Sequence, residues 1–412
     1  MLLILIFTLI FLFLFHELHW KRRNLPPGPI PWPFFGNVLA LKNPKPGYQA
    51  FIDRRKKFGP VFTFWMEIDE LQKELDKTCG STIDLPKLID RSVGNVINLT
   101  LFGYRFSDDR ADEFAQLKDL IDSQRAVLSQ FKYFLQFQLP ILEKSIPGKS
   151  LSEILVEKRL EMDEFFKRQV EAHRKAINFD EEESSDFVEA YLKEQRKREE
   201  AGDLESFCDK QLIAMCFDLW LAGLITTTIT LTWGISYYLH NPKIQKKVHE
   251  ELEKVGSDKL ITMADRPNLP YLSAFLNETQ RCVNLLPTNL PHMTTRDTVI
   301  DGFPVAQGTG VIAQISTVMM DEQVFPDPHQ FNPDRFIKNG KLQKIDELVP
   351  FSVGKRQCLG EGMARMELFL FFGNLFNRYR LKAPGIDKLP DIDKSKANLV
   401  LPREFQVVME RI

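Results

Sequence analysis

The most reactive arrangement in this sequence surrounds Cys358. The segment reads Phe351-Ser-Val-Gly-Lys-Arg-Gln-Cys-Leu-Gly360, so the cysteine lies between Gly354 and Gly360 and opens an apolar helical stretch. Such glycines allow tight turns and let a flat ligand approach the backbone closely. A helix N-terminus and neighbouring amides favour a thiolate over a thiol. The pattern therefore predicts a thiolate that ligates an iron.

The alternative interpretation is that Cys358, as a single cysteine among apolar residues, is a small residue of the hydrophobic core. The other four cysteines show no CxxC or zinc spacing and are widely scattered: Cys79, Cys208, Cys216 and Cys282. Neither a disulfide framework nor a structural metal site is therefore indicated, and the usage fits a reducing compartment.

A carboxylate and a guanidinium stand one helical turn apart at Glu278 and Arg281. Such spacing arises by chance in a chain of this length, and Glu171-Ala-His-Arg174 repeats it in a charged segment where a solvated helix face is expected. Glu278 and Arg281 lie instead in an apolar helix, on the same side. A buried pair needs further partners, and Arg335 is the candidate downstream.

A long apolar helix carries the segment Leu221-Ala-Gly-Leu-Ile-Thr-Thr227. Without further information, this segment indicates a buried helix whose threonines bond back to their own carbonyl groups.

Together these segments resemble the cytochrome P-450 monooxygenases. All five marked positions of that family's cysteine-ligand loop are matched, by Phe351, Gly354, Arg356, Cys358 and Gly360. The resemblance implies that Cys358 is the axial metal ligand of haem b (iron protoporphyrin IX). It also implies that Arg356 pairs with a haem propionate.

The same resemblance assigns structural and binding roles to residues outside the loop. Glu278, Arg281 and Arg335 match the family's Glu-Arg-Arg lock, which fixes the loop that presents the cysteine. Leu290-Pro-His292 resembles the turn whose histidine contacts a propionate, and a surface histidine is the alternative for His292.

In the family, the long helix forms the distal wall of the haem pocket. Gly223 matches a glycine of this wall, and Thr226 matches the threonine that relays protons to dioxygen. The family places an acid before this threonine, whereas this chain has Ile225.

The first 20 residues predict a signal-anchor helix. Residues 1–15 contain only Thr8 as a polar side chain, and continuation through Trp20 reaches the roughly 20 residues that span a bilayer. Lys21-Arg-Arg23 predicts a cytosolic body and contact with membrane lipid. A cleaved signal peptide would need basic residues before the apolar run and small residues after it, and neither is present.

Beyond the anchor, the expected organisation is a basic and proline-rich hinge over residues 21–46 and one haem-thiolate domain over residues 47–412. The fold class expected is mostly α with a small β region, a cytochrome P-450 fold. Periodicity predicts helices near Leu88–Phe102, Val156–Ile177, Cys208–Leu239, Lys243–Val255, Tyr271–Leu285 and from Cys358 to Arg378, with short strands within Thr298–Ile312 and near the C-terminus.

One stretch of the family pattern is missing after Met66. The buried strand expected at Val61–Met66 leads at once into Glu67-Ile-Asp-Glu, and no Trp-x-x-x-Arg follows before the next helix. In the family this stretch supplies a tryptophan and an arginine for the propionates and one wall of the substrate pocket. A splice form, a faulty gene model and a degenerate gene all fit this gap.

The expected reaction is insertion of one oxygen atom from dioxygen into an apolar small-molecule substrate such as a xenobiotic, a steroid or a fatty acid. Electrons would come from NADPH through a flavoprotein reductase, met by Lys355 and Arg365, at the cytosolic face of the endoplasmic reticulum. The net charge of −2 gives no indication of nucleic acid binding. The alternatives are a non-catalytic or haem-deficient truncated member, and a haem-thiolate isomerase or peroxygenase.

Overall fold

The computed structural model describes Leu71 and residues 75–106, 110–128, 148–181, 184, 186–256, 259–287, 289–393, 402 and 404–412. The predicted anchor, the hinge, the strand at Val61–Met66 and the junction after Met66 lie outside the described residues.

Helices contain most of the described residues. In chain order they are α1 (Leu85–Phe102), α2 (Ala111–Leu128), α3 (Leu151–Ala176), α4 (Phe187–Glu200), α5 (Asp209–His240), α6 (Pro242–Leu252), α7 (Pro270–Val283), α8 (Ile315–Met319) and α9 (Glu361–Arg378). The six helices expected from periodicity are all present, with ends that differ by a few residues, whereas α2, α4 and α8 were not predicted. The mostly helical class is confirmed.

The strands are short and pair antiparallel. They are β1 (Thr82–Ile83), β2 (His292–Met293), β3 (Thr298–Ile300), β4 (Phe303–Val305), β5 (Gly310–Val311), β6 (Ile337–Lys338), β7 (Lys341–Leu342), β8 (Tyr379–Lys382) and β9 (Val407–Arg411). One sheet has the order β1-β9-β8, and the pairs β2-β5, β3-β4 and β6-β7 form two-stranded ribbons. In the larger sheet Leu381 pairs with Met409 and Ile83 pairs with Val407.

The described chain forms two compact units, each assembled from separate stretches. The helical unit contains the described parts of 71–231 with 363–384 and 404–412. The cysteine unit contains the described parts of 232–362 and 385–403. Because the stretches alternate along the sequence, no single linker separates the units.

Helix ends in the helical unit follow local sequence signals. Asp84 accepts the backbone N–H of Lys87 at the start of α1, and the left-handed Gly103, at φ +67°, ends this helix. At the start of α3, Ser150 and Glu153 form a capping box, in which each side chain accepts the backbone N–H of the other residue.

Aromatic packing and small residues let the helices of this unit approach closely. A β-carbon on Gly94 of α1 would lie 2.5 Å from the ring of Phe114 on α2. Phe102 and Phe166 stack with ring centroids 6.1 Å apart. Glycine at position 94 is therefore required by this close packing of α1 against α2.

The first described residues are held by the larger sheet. Asp76 accepts hydrogen bonds from the hydroxyl of Tyr379 at 2.6 Å and from the guanidinium of Arg378 at 2.5 Å. The backbone N–H of Gly80 also donates to the carbonyl of Met409 at 2.8 Å. The chain that follows the predicted gap is thus tied to the C-terminal strands.

In the cysteine unit, α6 and α7 pack with the end of α5. The rings of Tyr237 and Phe331 stack at 4.5 Å, and the hydroxyl of Tyr238 is 2.7 Å from Nε2 of His249. Tyr238 also meets the edge of Phe275 on α7. These buried rings place α7, which carries Glu278 and Arg281.

By length and apolar composition, α5 is the one helix among the described residues that could cross a membrane. Half of its most apolar window is buried within the protein, and a core helix passes the same test.

Candidate functional site

The cysteine loop is a closed turn rather than an extended segment. The backbone N–H of Cys358 donates to the carbonyl of Phe351 at 3.2 Å, and that of Gln357 donates to the carbonyl of Gly354 at 3.1 Å. Gly354 has φ +83°, a conformation that favours glycine. Phe351 is fully buried, so the loop is anchored at its base.

The sulfur of Cys358 receives a backbone hydrogen bond. The N–H of Gly360 donates to Sγ at 3.0 Å, and α9 begins at Glu361 immediately afterwards. An amide donor and a helix N-terminus both stabilise negative charge on sulfur. The local geometry therefore favours a thiolate.

The remaining cysteines lie in different surroundings. Burial raises the pKa of Cys216 to about 12, so this residue stays a thiol at neutral pH. Cys282 is buried, and its sulfur accepts a hydrogen bond from the Arg281 guanidinium at 3.0 Å.

The residues around Cys358 fit a flat, largely apolar ligand with anionic side arms. Cys358 is half-buried, and a β-carbon on Gly354 would meet nothing within 4 Å. Leu359 is 94% exposed and Val353 is exposed as well, which gives the loop an apolar flank. The exposed guanidinium of Arg356 supplies a cation beside it. This donor set fits haem bound through a single thiolate.

Glu278 and Arg281 form a fully buried ion pair on α7. Nε of Arg281 donates to Oε2 of Glu278 at 2.7 Å, and the Arg281 Nη2 donates to Oε1 at 2.8 Å. Both side chains are 0% exposed. The bidentate geometry is the strongest form of this contact.

Arg335 completes the triad from a short 3-10 turn. Its Nε donates to Oε1 of Glu278 at 3.0 Å, and its other nitrogens donate to backbone carbonyls, including that of Pro326 at 2.9 Å. The backbone N–H of Asn332 adds a fourth donor to the Glu278 carboxylate at 2.8 Å. Glu278 therefore lies within salt-bridge distance of both arginines, as expected from the sequence.

The charges of this triad are satisfied despite burial. Burial opposes the charge on Arg281, but the hydrogen-bonded carboxylate of Glu278 outweighs it and the pKa of Arg281 is raised. Nη1 of Arg281 also donates to the carbonyl of Met319 at 3.0 Å. Such additional partners offset the desolvation cost of a buried pair.

Apolar packing connects the triad to the cysteine loop. Phe336, next to Arg335, is buried with Ala274 of α7, and Leu348 packs against this cluster. Leu348 and Val349 also pack against Ile315 and Met319 of α8. Two residues later, Phe351 begins the loop, so the chain enters the loop from a packed position.

The second Glu-x-x-Arg segment behaves as expected for a solvated helix face. Glu171 is exposed, and Arg174 contacts Asp209 and Gln195 rather than Glu171. The same Glu-x-x-Arg spacing therefore gives no ion pair between its two residues on α3 and a buried ion pair on α7.

His292 lies on the exposed strand β2. Its Nδ1 is 2.9 Å from the carbonyl of Leu290, and β2 pairs with β5 through His292 and Val311. The imidazole is therefore exposed to solvent and is held by its contact with the carbonyl of Leu290, two residues earlier.

The proton-relay candidate and its neighbours lie in the helical unit, on α5. Oγ1 of Thr226 donates to the carbonyl of Ala222 at 2.8 Å, as expected for a threonine in a buried helix. A β-carbon on Gly223 would lie 2.4 Å from Cδ1 of Ile97, so this glycine permits close packing of α5 against α1. Ile225 is partly exposed.

Sequence reasoning missed the residues that support the triad. The carbonyl groups of Met319, Pro326 and Gln330 and the N–H of Asn332 have no side-chain signature in the sequence. The short 3-10 turn at Pro333–Phe336 was foreseeable from Asn332-Pro333, because asparagine before proline favours such turns.

Comparisons with known proteins agree on one family. A family model described as Cytochrome P450 matches residues 66–409. Probable cytochrome P450 CYP36A1 from Caenorhabditis elegans is 30% identical over 95% of this chain and 95% of its own length. Cytochrome P450 2J1 from Oryctolagus cuniculus is 35% identical over 78% of this chain, and cytochrome P450 2A13 from Homo sapiens is 28% identical over 94%.

The lengths of these alignments bear on the gap after Met66. The alignment with the nematode protein extends over 481 positions, although this chain has 412 residues, so the relative contains stretches without a counterpart here. The alignment with the rabbit protein covers only 63% of that relative.

Proposed function

Since the chain belongs to the cytochrome P450 family of haem-dependent monooxygenases, we propose that it inserts one atom of dioxygen into an apolar organic substrate. The proposed substrate is a xenobiotic, a steroid or a fatty acid. The proposed electron source is NADPH, through a flavoprotein reductase. The observation that carries the proposal is the cysteine loop, in which an amide holds the sulfur of Cys358 at 3.0 Å beside an exposed arginine.

Cys358, Arg356 and His292 are the residues proposed to hold haem. Haem bound through a thiolate activates dioxygen, because sulfur donates electron density to the iron. Cys358 is suited to this role by its amide contact and by the start of α9, which both stabilise negative charge. The guanidinium of Arg356 and an N–H of the His292 imidazole would bind the two propionates.

Thr226 is the proposed proton relay, with Gly223 in the distal wall. The hydroxyl of Thr226 donates to the carbonyl of Ala222, which leaves the lone pairs of its oxygen able to accept a hydrogen bond from water. Because position 225 is isoleucine, no side-chain acid precedes this hydroxyl in the sequence, and water is the proposed proton source.

The triad of Glu278, Arg281 and Arg335 is proposed as the structural lock of the cysteine loop. Its buried contacts join α7 to the turn at residues 333–336, and apolar packing continues from there to Leu348 and Phe351. A fixed loop keeps the ligand sulfur in one position, which a metal site requires.

The protein is proposed to lie on the cytosolic face of the endoplasmic reticulum, anchored by residues 1–20. The support is the apolar stretch followed by Lys21-Arg-Arg23. Lys355 and Arg365 flank Cys358 in sequence and are proposed to meet an acidic surface of the reductase.

A carbon-monoxide difference spectrum of the reduced full-length protein tests the haem-thiolate proposal. A strongly red-shifted band is expected, because only a thiolate donates so much charge to the iron. Haem bound without this band would overturn the assignment of Cys358. Product formation that requires NADPH and reductase then tests the monooxygenase reaction.

A second candidate is a haem-deficient member of the family. The sequence after Met66 favours it, because no Trp-x-x-x-Arg follows there and the family's propionate-binding helix is expected at this point. A third candidate, an isomerase or peroxygenase, is favoured by Ile225 and would turn over without NADPH.

A further inference from the structure

The carboxylate of Glu251, on helix α6, contacts the start of α7. Oε1 of Glu251 accepts the backbone N–H of Tyr271 at 2.8 Å, and Oε2 accepts that of Leu272 at 2.8 Å. Glu251 is only 8% exposed, although it is a charged residue near the end of its own helix. Buried carboxylates with this geometry serve a specific contact.

The start of α7 needs such a partner. The helix begins at Pro270, which has no N–H, and the preceding residue, Leu269, provides no side-chain cap. The next N–H groups therefore depend on an acceptor from elsewhere, because the first turn of a helix has no internal partners. A carboxylate is favoured there by the positive end of the helix dipole.

Burial raises the pKa of Glu251, and the two N–H groups of α7 oppose this rise. Both hydrogen bonds therefore belong to the charged form of the side chain. Replacing the carboxylate with an amide removes one acceptor oxygen and turns an NH2 group towards an N–H of α7.

Through Lys247, helix α6 also contacts the turn that carries Arg335. Nζ of Lys247 donates to Oδ1 and Oδ2 of Asp334 at 2.6 and 2.8 Å. Asp334 is the neighbour of Arg335 in the turn that contacts Glu278. Helix α6 thus contacts both segments whose charges meet at Glu278, one on α7 and one on the turn.

From these contacts we infer that Glu251 is a positioning residue for the metal-ligand loop. By fixing the first turn of α7, it sets the position of Glu278 two turns later, and through the triad it keeps the chain at Leu348 and Phe351 in place. Lys247 provides a second, weaker positioning contact, because its ion pair with Asp334 is half exposed. This inference rests on the proposed haem-thiolate function.

The chain provides a matched control for the experiment. Glu250 is the neighbour of Glu251 on α6, but its side chain is 57% exposed and forms an exposed ion pair with Lys246 at 3.6 Å. Glu251→Gln and Glu250→Gln therefore make the same chemical change at a buried and at an exposed position. Val170→Ala, in the core of the helical unit, controls for a general loss of stability.

Hydrogen exchange of the full-length protein is the first measurement. Glu251→Gln is expected to lower protection of the amides of Tyr271 and Leu272 about ten-fold, the equivalent of about 1.4 kcal/mol. Glu250→Gln should leave them unchanged. Unchanged exchange in Glu251→Gln would overturn the inference, and this readout does not depend on bound haem.

The fraction of carbon-monoxide complex that shows the thiolate band is the second measurement. It should fall in Glu251→Gln and, by less, in Lys247→Met, but not in Glu250→Gln or Val170→Ala. An equal fall in Val170→Ala would show that Glu251 contributes only general stability and would overturn the positioning role. If wild type lacks the thiolate band, the proposed function fails, whereas the exchange result still stands. If Glu251→Gln does not fold, Lys247→Met decides the question by the same spectrum.

Discussion

At the scale of single residues, the surroundings of a cysteine decide what its sulfur can do. Cys358 receives a backbone N–H at the start of a helix, which favours the thiolate. Cys216 is fully buried, and burial raises its pKa to about 12. The same side chain is therefore a metal-ligand candidate in one place and an inert core group in the other.

The axial-ligand assignment is tested by Cys358→His. This variant should either lose haem or retain it without the red-shifted carbon-monoxide band, because imidazole donates less charge to iron. Cys208→Ser is the control, since Cys208 is remote in sequence and its backbone carbonyl, rather than its sulfur, accepts the hydrogen bonds from Tyr191 and Leu212. Cys282→Ala is less suitable, because its sulfur contacts Arg281. An unchanged spectrum in Cys358→His would refute the assignment.

The absence of an acid at position 225 gives a second prediction. Ile225→Glu should raise the ratio of product formed to NADPH consumed, because a general acid accelerates proton transfer by roughly 10²–10⁴. Ile225 is partly exposed, so a carboxylate there is not forced into the core. Ile225→Gln, which has similar shape but no titratable proton, should not raise the ratio. A flat ratio in Ile225→Glu, with little peroxide in wild type, would remove support for Thr226 as the relay.

At the scale of elements, the two Glu-x-x-Arg segments show how context assigns a role to a pattern. On α3, Glu171 is exposed and Arg174 forms an ion pair with Asp209. On α7, Glu278 and Arg281 are buried and share their contacts with Arg335. The difference follows from the apolar or charged neighbours of each pair.

Removing the charge of Glu278 is expected to destabilise the protein strongly. Glu278→Gln leaves two guanidinium groups without their buried counter-charge, and breaking a buried pair costs about 3–5 kcal/mol. Glu171→Gln, the same change in the same spacing, should alter the free energy of unfolding by less than about 0.5 kcal/mol. Urea unfolding of both variants makes the comparison. Equal, small effects would contradict the structural lock.

Three helix ends meet around His173 in the helical unit. Its Nε2 lies 3.0 Å from Oδ2 of Asp186, the N-cap of α4, and its Nδ1 lies 3.2 Å from the carbonyl of Gln169. Oδ2 of Asp186 would also lie 2.9 Å from a β-carbon on Gly103, at the end of α1. Both ring nitrogens face acceptors, so the protonated imidazole satisfies this site best.

This site predicts a pH dependence of stability. The hydrogen bond to Asp186 raises the pKa of His173 above 6.5, against the effect of burial. Stability from the pair is therefore complete below pH 6.5 and is lost as pH rises through the raised pKa. The difference in melting temperature between wild type and His173→Gln should shrink over this range. A constant difference would contradict the prediction.

At the scale of the whole molecule, we expect the gap after Met66 to decide how well haem is held. The two propionate charges must be paired or solvated, and only Arg356 and His292 match the family's contacts. The purified 412-residue protein should bind haem substoichiometrically. A version with the family's missing segment restored between Met66 and Glu67 should bind it fully.

A Gly/Ser insertion of equal length at the same point is the control for this experiment, because it restores length without the propionate contacts. Haem content per protein, from absorbance and iron analysis, is the measurement. Full occupancy in the short chain would show that the segment is dispensable.

The sequence alone determined the helical class, most helix positions and the cysteine loop, because these depend on short-range signals. Periodicity predicted α5 and α7 almost to the residue, and the glycines around Cys358 identified the turn. The same reasoning missed α2, α4 and the short α8.

Only the tertiary structure decided which charged groups are buried together. Glu251 and Glu250 are adjacent and chemically identical, yet one binds the start of α7 and the other faces solvent. The contacts of Arg335 and Asn332 with Glu278 join residues more than fifty positions apart. Such contacts arise when packing removes water from particular side chains, and this depends on the whole arrangement of helices rather than on any one segment.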